Sequence, residues 1–156
     1  MKYRQLTKEQ FLALSDEFAE FLATQQIDIK EWEQIKKNKP SMAEEELNLF
    51  SDIVWQDVLS KTEYLEHISE SHINLFKCNS KEAIRIFIKL NDLDKNFLKP
   101  EDYRWFLENL LDDSIDYFKA VKKYSKGRNE DIFELIEMGS EISKGELFNA
   151  IKELID

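Results

Sequence analysis

Five side chains that could do chemistry lie close together near the middle of the chain: Glu63, Glu66, His67, His72 and Cys78. Histidine and carboxylate side chains can ligate zinc or iron. Glu63 and His67 are four residues apart, so they share a face if the preceding helix continues that far. Neither histidine follows a glutamate by three residues, which is the spacing that di-iron helix bundles use. A small metal-dependent enzyme is therefore one hypothesis, and a polar helix end that leads into a strand is the other.

Nucleophilic catalysis would have to use Cys78. Six residues separate it from His72, so the two side chains point to one side of a continuous strand. A cysteine beside Phe76 in an apolar segment is also a common core residue. The three glycines cannot form a phosphate-binding loop, and no G-x-S-x-G motif is present. We therefore predict no catalytic, cofactor-binding or metal-binding residues, and no cofactor.

The size and charge of the chain limit its class. Its 156 residues are enough for one domain, which we predict to span residues 1–156. A single cysteine and the lack of a secretory signal or a long apolar run predict a cytoplasmic protein with no membrane partner. The net charge is −10. Only the middle is basic, because residues 73–127 carry 11 basic and 9 acidic side chains.

Hydrophobic periodicity predicts an α+β fold with a helical N-terminal half, a small antiparallel sheet and a C-terminal helical hairpin. Capping boxes at Thr7, Asp28 and Ser41 each have Glu or Gln three residues later, and they predict three successive helices. Ile84, Ile86 and Ile88 alternate with Arg85, Phe87 and Lys89, which favours a strand there and a hairpin over residues 73–90, although a helix is the alternative. Residues 114–124 predict a third strand, and Pro100 marks the start of the helix before it.

The predicted sheet carries basic and aromatic side chains together, an arrangement that single-stranded RNA binders use for base stacking. Strand alternation places Tyr117 on the side of Lys119 and Lys123. We expect these residues to face solvent and Phe118 and Ala120 to enter the core. The alternative is that the lysines only protect an edge strand. The candidate RNA or partner face combines two strands: Arg85, Phe87, Lys89, Tyr117, Lys119 and Lys123.

The C-terminal segment resembles a helix-turn-helix, but its charge argues against duplex DNA. Residues 128–156 carry 3 basic and 8 acidic side chains. Phosphate contacts supply most non-specific affinity for DNA, and this segment would repel them. Ser143 and Glu146 have the spacing of a capping box, so we interpret the segment as two helices that pack together after Gly139.

Three stretches resemble, as a group, a family of small acidic proteins from Bacteroidetes-type bacteria that is catalogued as a domain of unknown function. They are "KYRQLTKEQ", "LFSDIVWQDVLSKTEYLEH" and "ISKGELF". The resemblance extends over nearly the whole chain. It implies a free-standing bacterial protein, and it implies no catalytic residue and no ligand.

Our leading hypothesis is a non-enzymatic protein-interaction, adaptor or regulatory protein, because the chain has many aromatic side chains and no catalytic motif. Trp32, Trp55 and Trp105 are candidate exposed anchors of the kind that interfaces use. A single-stranded RNA-binding or ribosome-associated protein is the first alternative, and a small metal-dependent enzyme is the second. The oligomeric state and the partner do not follow from the sequence.

Overall fold

The computed structural model describes residues 1–156 and divides the chain into two compact units, Met1–Ser60 and Lys61–Asp156. All five strands lie in the second unit, together with three of the seven helices. The α+β class is thus confirmed, with a helical N-terminal half. The prediction that residues 1–156 form a single domain stays a prediction.

Helices build the first unit around a cluster of aromatic rings. The Thr7–Gln10 capping box is present with both hydrogen bonds, and the Asp28 side chain accepts a hydrogen bond from the Glu31 N–H at 2.7 Å. The third predicted cap, at Ser41, is wrong, because the fourth helix already begins at Pro40. The four helices are α1 (Lys8–Ala13), α2 (Ser15–Thr24), α3 (Ile29–Asn38) and α4 (Pro40–Lys61).

Phe18 is the centre of that aromatic cluster. Its ring lies 5.0 Å from the Phe50 ring and 5.3 Å from the Trp32 ring, both with edge-to-face geometry. Trp32 and Trp55 are each only 8% exposed, so the prediction that they are exposed anchors is wrong. The ring of Phe18, from another helix, covers Trp32, and a local repeat cannot show such a contact. Trp105, in the second unit, is partly exposed beside Lys95.

The second unit contains five strands and three helices. The strands are β1 (Tyr64–Ile68), β2 (His72–Cys78), β3 (Glu82–Leu90), β4 (Ile115–Lys123) and β5 (Glu141–Ser143), and the helices are α5 (Pro100–Glu108), α6 (Arg128–Glu137) and α7 (Glu146–Ile155). The strands form one antiparallel sheet with the order β4-β3-β2-β1-β5. The predicted hairpin and third strand are confirmed as β2, β3 and β4. The sequence did not reveal β1 or β5.

One face of the sheet packs against α5 and α7 to form the main core. Ile86 and Ile88 of β3 are fully buried there with Phe106 of α5 and Ile151 of α7. The alternation that predicted β3 thus corresponds to real burial, because each isoleucine of the strand points to the same side. The opposite face is partly lined by α6, which contributes side chains to a cleft described below.

The C-terminal helices are not joined by a simple turn. Gly139 follows α6 with φ of +114°, and the next residues pair as β5 with β1, where Ser143 lies opposite Tyr64. The predicted Ser143 cap is therefore wrong. The Ser143 hydroxyl instead accepts a hydrogen bond from the Gly145 N–H at 3.2 Å, and Gly145 precedes α7 in a left-handed conformation.

Replacing Gly145 by alanine should destabilise the fold by about 2–3 kcal/mol, because the position combines positive φ with a close neighbour. A Cβ atom there would lie 2.6 Å from three carbon atoms of the Tyr64 ring. Urea denaturation of Gly145→Ala checks this, with Lys144→Ala as the adjacent exposed control. An unchanged midpoint for Gly145→Ala would contradict the tight contact.

Candidate functional site

The pairing register of β3 and β4 decides which side chains share a face of the sheet. Ile86 lies opposite Lys119 and Ile88 lies opposite Tyr117, whereas Phe87 lies opposite Phe118. Paired residues in an antiparallel sheet point to the same side. Tyr117 and Lys119 are therefore on the side of the main core.

The predicted composite face is consequently wrong. Its β3 members and its β4 members point to opposite sides of the sheet, the first being Arg85, Phe87 and Lys89 and the second being Tyr117, Lys119 and Lys123.

The contacts of Tyr117 and Lys119 show why their side chains lie on the side of the main core and not in the predicted face. The Tyr117 hydroxyl donates to the Leu110 carbonyl at 2.5 Å, and burial raises the pKa of Tyr117 to about 12. Lys119 forms an ion pair with Asp156 at 2.8 Å. Ile115 is the buried first residue of β4 and lies on the same side as Tyr117. Its position was the signal in the sequence that could have set the correct alternation.

An aromatic and basic surface does exist, on the face opposite the main core, and its most exposed ring is Phe118. This side chain is 55% exposed. Its ring lies 6.1 Å from the Phe87 ring, which in turn lies 5.6 Å from the His72 ring. We name this surface the Phe118 face and define it by His72, Asn74, Arg85, Phe87, Lys89, Phe118 and Lys122, which the strand registers place on one side.

Arg85 is held in place on the Phe118 face by two contacts. Its guanidinium carbon lies 5.4 Å from the centre of the Phe87 ring, and its Nε donates to the Asn74 Oδ1 at 2.9 Å. Both partners, Asn74 and Phe87, lie on paired strands, so they hold the guanidinium in one orientation. The remaining guanidinium N–H groups are available for a ligand, because arginine carries five donors.

A cleft of about 280 Å³ adjoins the Phe118 face where α6 and the segment after it approach the sheet. Phe76 and Ala83 supply apolar lining from the strands, and Leu135 and Met138 supply it from the helical side. The polar lining side chains are His67, Asn74, Arg85, Lys122, Tyr124, Ser125, Asp131, Glu134 and Ser140. The cleft thus joins residues from both candidate groups, Arg85 from the predicted face and His67 from the predicted polar cluster.

The acidic side chains of the cleft already have partners within the chain. The Asp131 carboxylate accepts hydrogen bonds from the backbone N–H groups of Ser125 and Lys126, at 2.7 and 3.0 Å. Glu134 pairs with the Lys126 ammonium. Lys122 has no ion-pair partner, so the charge that the cleft offers to a ligand is positive. The arrangement can hold an anionic or amide group over an apolar floor.

The four residues of the predicted polar cluster do not converge. Glu66 and His67 are neighbours on β1 and point to opposite sides of the sheet. Burial raises the pKa of Glu66, and the nearby Glu141 and Glu146 raise it further. His67 lines the cleft, His72 contacts Phe87 and Glu63 is exposed. No three His, Cys, Asp or Glu side chains form a group that could hold a metal ion.

A family model described as "Family of unknown function (DUF6495)" matches residues 1–156. The chain belongs to this DUF6495 family. No curated protein and no solved structure gives a significant match. None of the helices in this DUF6495 chain has both the length and the apolar character needed to cross a membrane.

Cys78 of the DUF6495 chain is held as a thiol. It is buried, and burial raises its pKa to about 11, while the nearby Arg128 guanidinium opposes that shift. His72 does lie on the same side of β2, as predicted, but six residues of strand separate the two by roughly 20 Å. The imidazole therefore cannot take the proton of this thiol.

Stability should fall as the pH rises from about 9 to about 12. Burial raises the pKa of Tyr124 and of Tyr117 to about 12, from an ordinary value of 10.0. The folded state favours the protonated form of each group, so its contribution is complete below the ordinary pKa and is lost as the pH approaches the raised one. The Tyr124 hydroxyl donates to the carbonyls of Asn79 and Glu82, at 2.6 and 3.3 Å, and a phenolate cannot do so.

Urea denaturation at pH 7, 9, 10 and 11 measures this decline. Tyr124→Phe should lose about 1 kcal/mol at pH 7 through the missing hydrogen bonds. Its free energy of unfolding should then fall less steeply with pH than that of the unmodified chain. Parallel curves for the two proteins would show that Tyr124 does not contribute to the alkaline transition.

Proposed function

We propose that this DUF6495 chain is a non-enzymatic protein-interaction module, bacterial and cytoplasmic, that binds its partner through the Phe118 face. The observation that carries the proposal is the exposed Phe118 ring, supported by Phe87 and placed beside the fixed guanidinium of Arg85. Aromatic and arginine side chains are enriched among the residues that dominate binding energy at protein interfaces. Here they occur together on one rigid surface.

Preorganisation supports this surface over other exposed apolar residues. Leu93 is 99% exposed, but it lies between β3 and α5, outside any helix or strand. Phe118 and Phe87 lie on paired strands, and the hydrogen bond to Asn74 orients Arg85 before any partner arrives. A surface that is already ordered loses little conformational entropy on binding, so more of the contact energy appears as affinity.

The cleft beside the Phe118 face supports the same function. Its apolar lining and its unpaired cation Lys122 suit the insertion of one partner side chain that ends in a carboxylate or an amide. The side chains that could do chemistry are not assembled into one site. His72 lies about 20 Å from Cys78, and the polar cluster is divided between the two faces of the sheet. No observation favours the metal-dependent alternative.

Binding of single-stranded RNA or a ribosomal surface is the second candidate function. One observation favours it: Phe87 and Phe118 lie side by side with Arg85, Lys89 and Lys122 on the same face. Base stacking on such rings is tolerant of sequence. Asp116 lies on that face as well, and the chain as a whole carries a net charge of −10. These negative charges favour a protein partner over a polyanion.

Site-specific photocrosslinking in the native host can test the proposal. A photoreactive phenylalanine analogue at position 118 should give a discrete protein adduct, and the same analogue at position 93 should not. Leu93 is a matched control because it is apolar and even more exposed. If nuclease treatment removes the adduct, the partner bound at position 118 is RNA and not a protein. Equal labelling at both positions, or none at position 118, would show the proposal to be wrong.

Substitutions in the purified complex give the second measurement. Phe118→Ala and Arg85→Ala should each weaken binding at least tenfold, which corresponds to about 1.4 kcal/mol. Leu93→Ala should leave affinity unchanged. Thermal unfolding of each variant, measured in parallel, separates a lost contact from a lost fold.

A further inference from the structure

Strand β4 lies at one end of the sheet and pairs only with β3. It is nine residues long, from Ile115 to Lys123, which is long for an edge strand. Neither a proline nor a covering strand protects it. Its free edge adjoins the Phe118 face, since Phe118 is itself a β4 residue.

Hydrogen bonding along β3 and β4 shows which backbone groups form that free edge. The Asn91 N–H donates to the Ser114 carbonyl, so residues 91 and 114 are a hydrogen-bonded pair at the end of the ladder. Hydrogen-bonded and non-hydrogen-bonded pairs alternate in an antiparallel ladder. The even-numbered residues of β4 therefore bond to β3, and the backbone groups of four odd-numbered residues point away from it: Tyr117, Lys119, Val121 and Lys123.

The outward backbone groups have no partner within the chain. No N–H or C=O of these four residues takes part in a backbone hydrogen bond outside the ladder, and none is capped by a side chain. An unpaired row of this kind is a template for another strand. Val121 is 57% exposed on one side of the edge and Phe118 is 55% exposed on the other. An added strand would therefore meet an apolar contact on each face.

The charge of the edge indicates what kind of strand it accepts. Lys119 and Lys126 have partners in Asp156 and Glu134. Lys122 and Lys123 have none, and they lie on opposite faces at the end of β4. In a fully overlapping antiparallel second copy of β4, Lys119 would face Lys119 and Lys123 would face Ile115, so Lys123 would gain no carboxylate. Carboxylates from a different chain would instead complete both ion pairs.

We propose that β4 accepts an extended acidic segment of a partner protein by strand addition. The proposal rests on the proposed function and specifies the partner of that surface. The segment forms backbone hydrogen bonds with Tyr117, Lys119, Val121 and Lys123. Its alternate side chains lie beside Phe118 on one face and Val121 on the other, and its carboxylates approach Lys122 and Lys123.

The probe for the test is a blocked eight-residue peptide with the order Val-Val-Glu-Glu-Val-Val-Glu-Glu, which places valine and glutamate side chains on both faces of an extended strand. Two controls have the same length: a valine–lysine peptide, and the valine–glutamate peptide with alternate backbone nitrogens methylated. Methylation keeps the charge and removes the strand hydrogen bonds. The valine–glutamate peptide should bind the full chain and slow amide exchange at Tyr117, Lys119, Val121 and Lys123. Both controls should bind at least tenfold more weakly.

Two proline substitutions form a matched pair on the protein side. Val121→Pro removes an outward N–H and should weaken peptide binding at least tenfold with the ladder to β3 intact. Ala120→Pro removes a ladder hydrogen bond and should lower the melting temperature instead. The double variant Lys122→Glu, Lys123→Glu should also weaken binding at least tenfold. If Val121→Pro fails to fold, the methylated peptide decides the question on the unmodified chain.

Several results would overturn the inference. They are no binding of the valine–glutamate peptide at about 1 mM, equal binding of its methylated form, or a peptide-free dimer whose outward β4 amides are already protected. Failure of the proposed function gives a different result, which is no adduct at position 118 or equal labelling at positions 93 and 118. If the photocrosslinked partner depends on Phe118 and Arg85 but not on Val121→Pro, the Phe118 face is an interaction surface and strand addition is wrong.

Discussion

The antiparallel register between β3 and β4 is the constraint on which the rest of the second unit depends. Ile86 and Ile88 must be buried against α5 and α7, and the register places Lys119 and Tyr117 beside them. A slip of one residue would turn every β4 side chain to the other face. Such a slip would bury Phe118 and expose Ile115, so the core selects the observed register. The Phe118 face is a consequence of that selection.

Contacts at the far end of the sheet fix the two helices that flank it. Strand β5 pairs with β1, and this pairing brings the backbone of Gly145 against the Tyr64 ring. The left-handed turn at Gly145 then directs α7 onto the core face, where Phe148 and Ile151 are buried. Gly139 similarly lies against the His67 ring, at the rim of the cleft. Two glycines with positive φ thus determine the path of the chain between α6 and α7.

The sequence was sufficient for the parts of the fold that depend on one clear period. In β3, Ile84, Ile86 and Ile88 alternate with Arg85, Phe87 and Lys89, and the predicted hairpin is present. Strand β1 could not be found in this way, because Tyr64 and Ile68 point to one side and Leu65 points to the other, so both faces carry apolar groups. Strand β5 has three residues, and the capping spacing of Ser143 obscured it. Tertiary pairing defines both strands, and no local pattern encodes it.

The same distinction applies to the candidate site. Arg85, Phe87 and Lys89 were correctly placed together, since the buried isoleucines between them set the alternation of β3. In β4, aromatic residues and small apolar residues occur at both odd and even positions, so Ile115 was the one local signal for the side that faces the core. The pairs that Tyr117 and Phe118 make with β3 establish that side. The cleft was beyond prediction, because its lining comes from segments as distant as His67 and Ser140.

In an edge strand, the alternation of odd and even residues decides both which side chains are buried and which backbone groups are hydrogen-bonded. In β4 this alternation places the exposed ring of Phe118 next to the free backbone edge. The odd-numbered residues turn their side chains toward the α5 and α7 side, and the same residues turn their backbone groups away from β3. The even-numbered residues complete the ladder and place Phe118 and Lys122 on the opposite face. The register that stabilises the core therefore also produces a free backbone edge directly beside an exposed ring and an unpaired cation. A partner that uses both surfaces gains a backbone template and an aromatic anchor from a single strand.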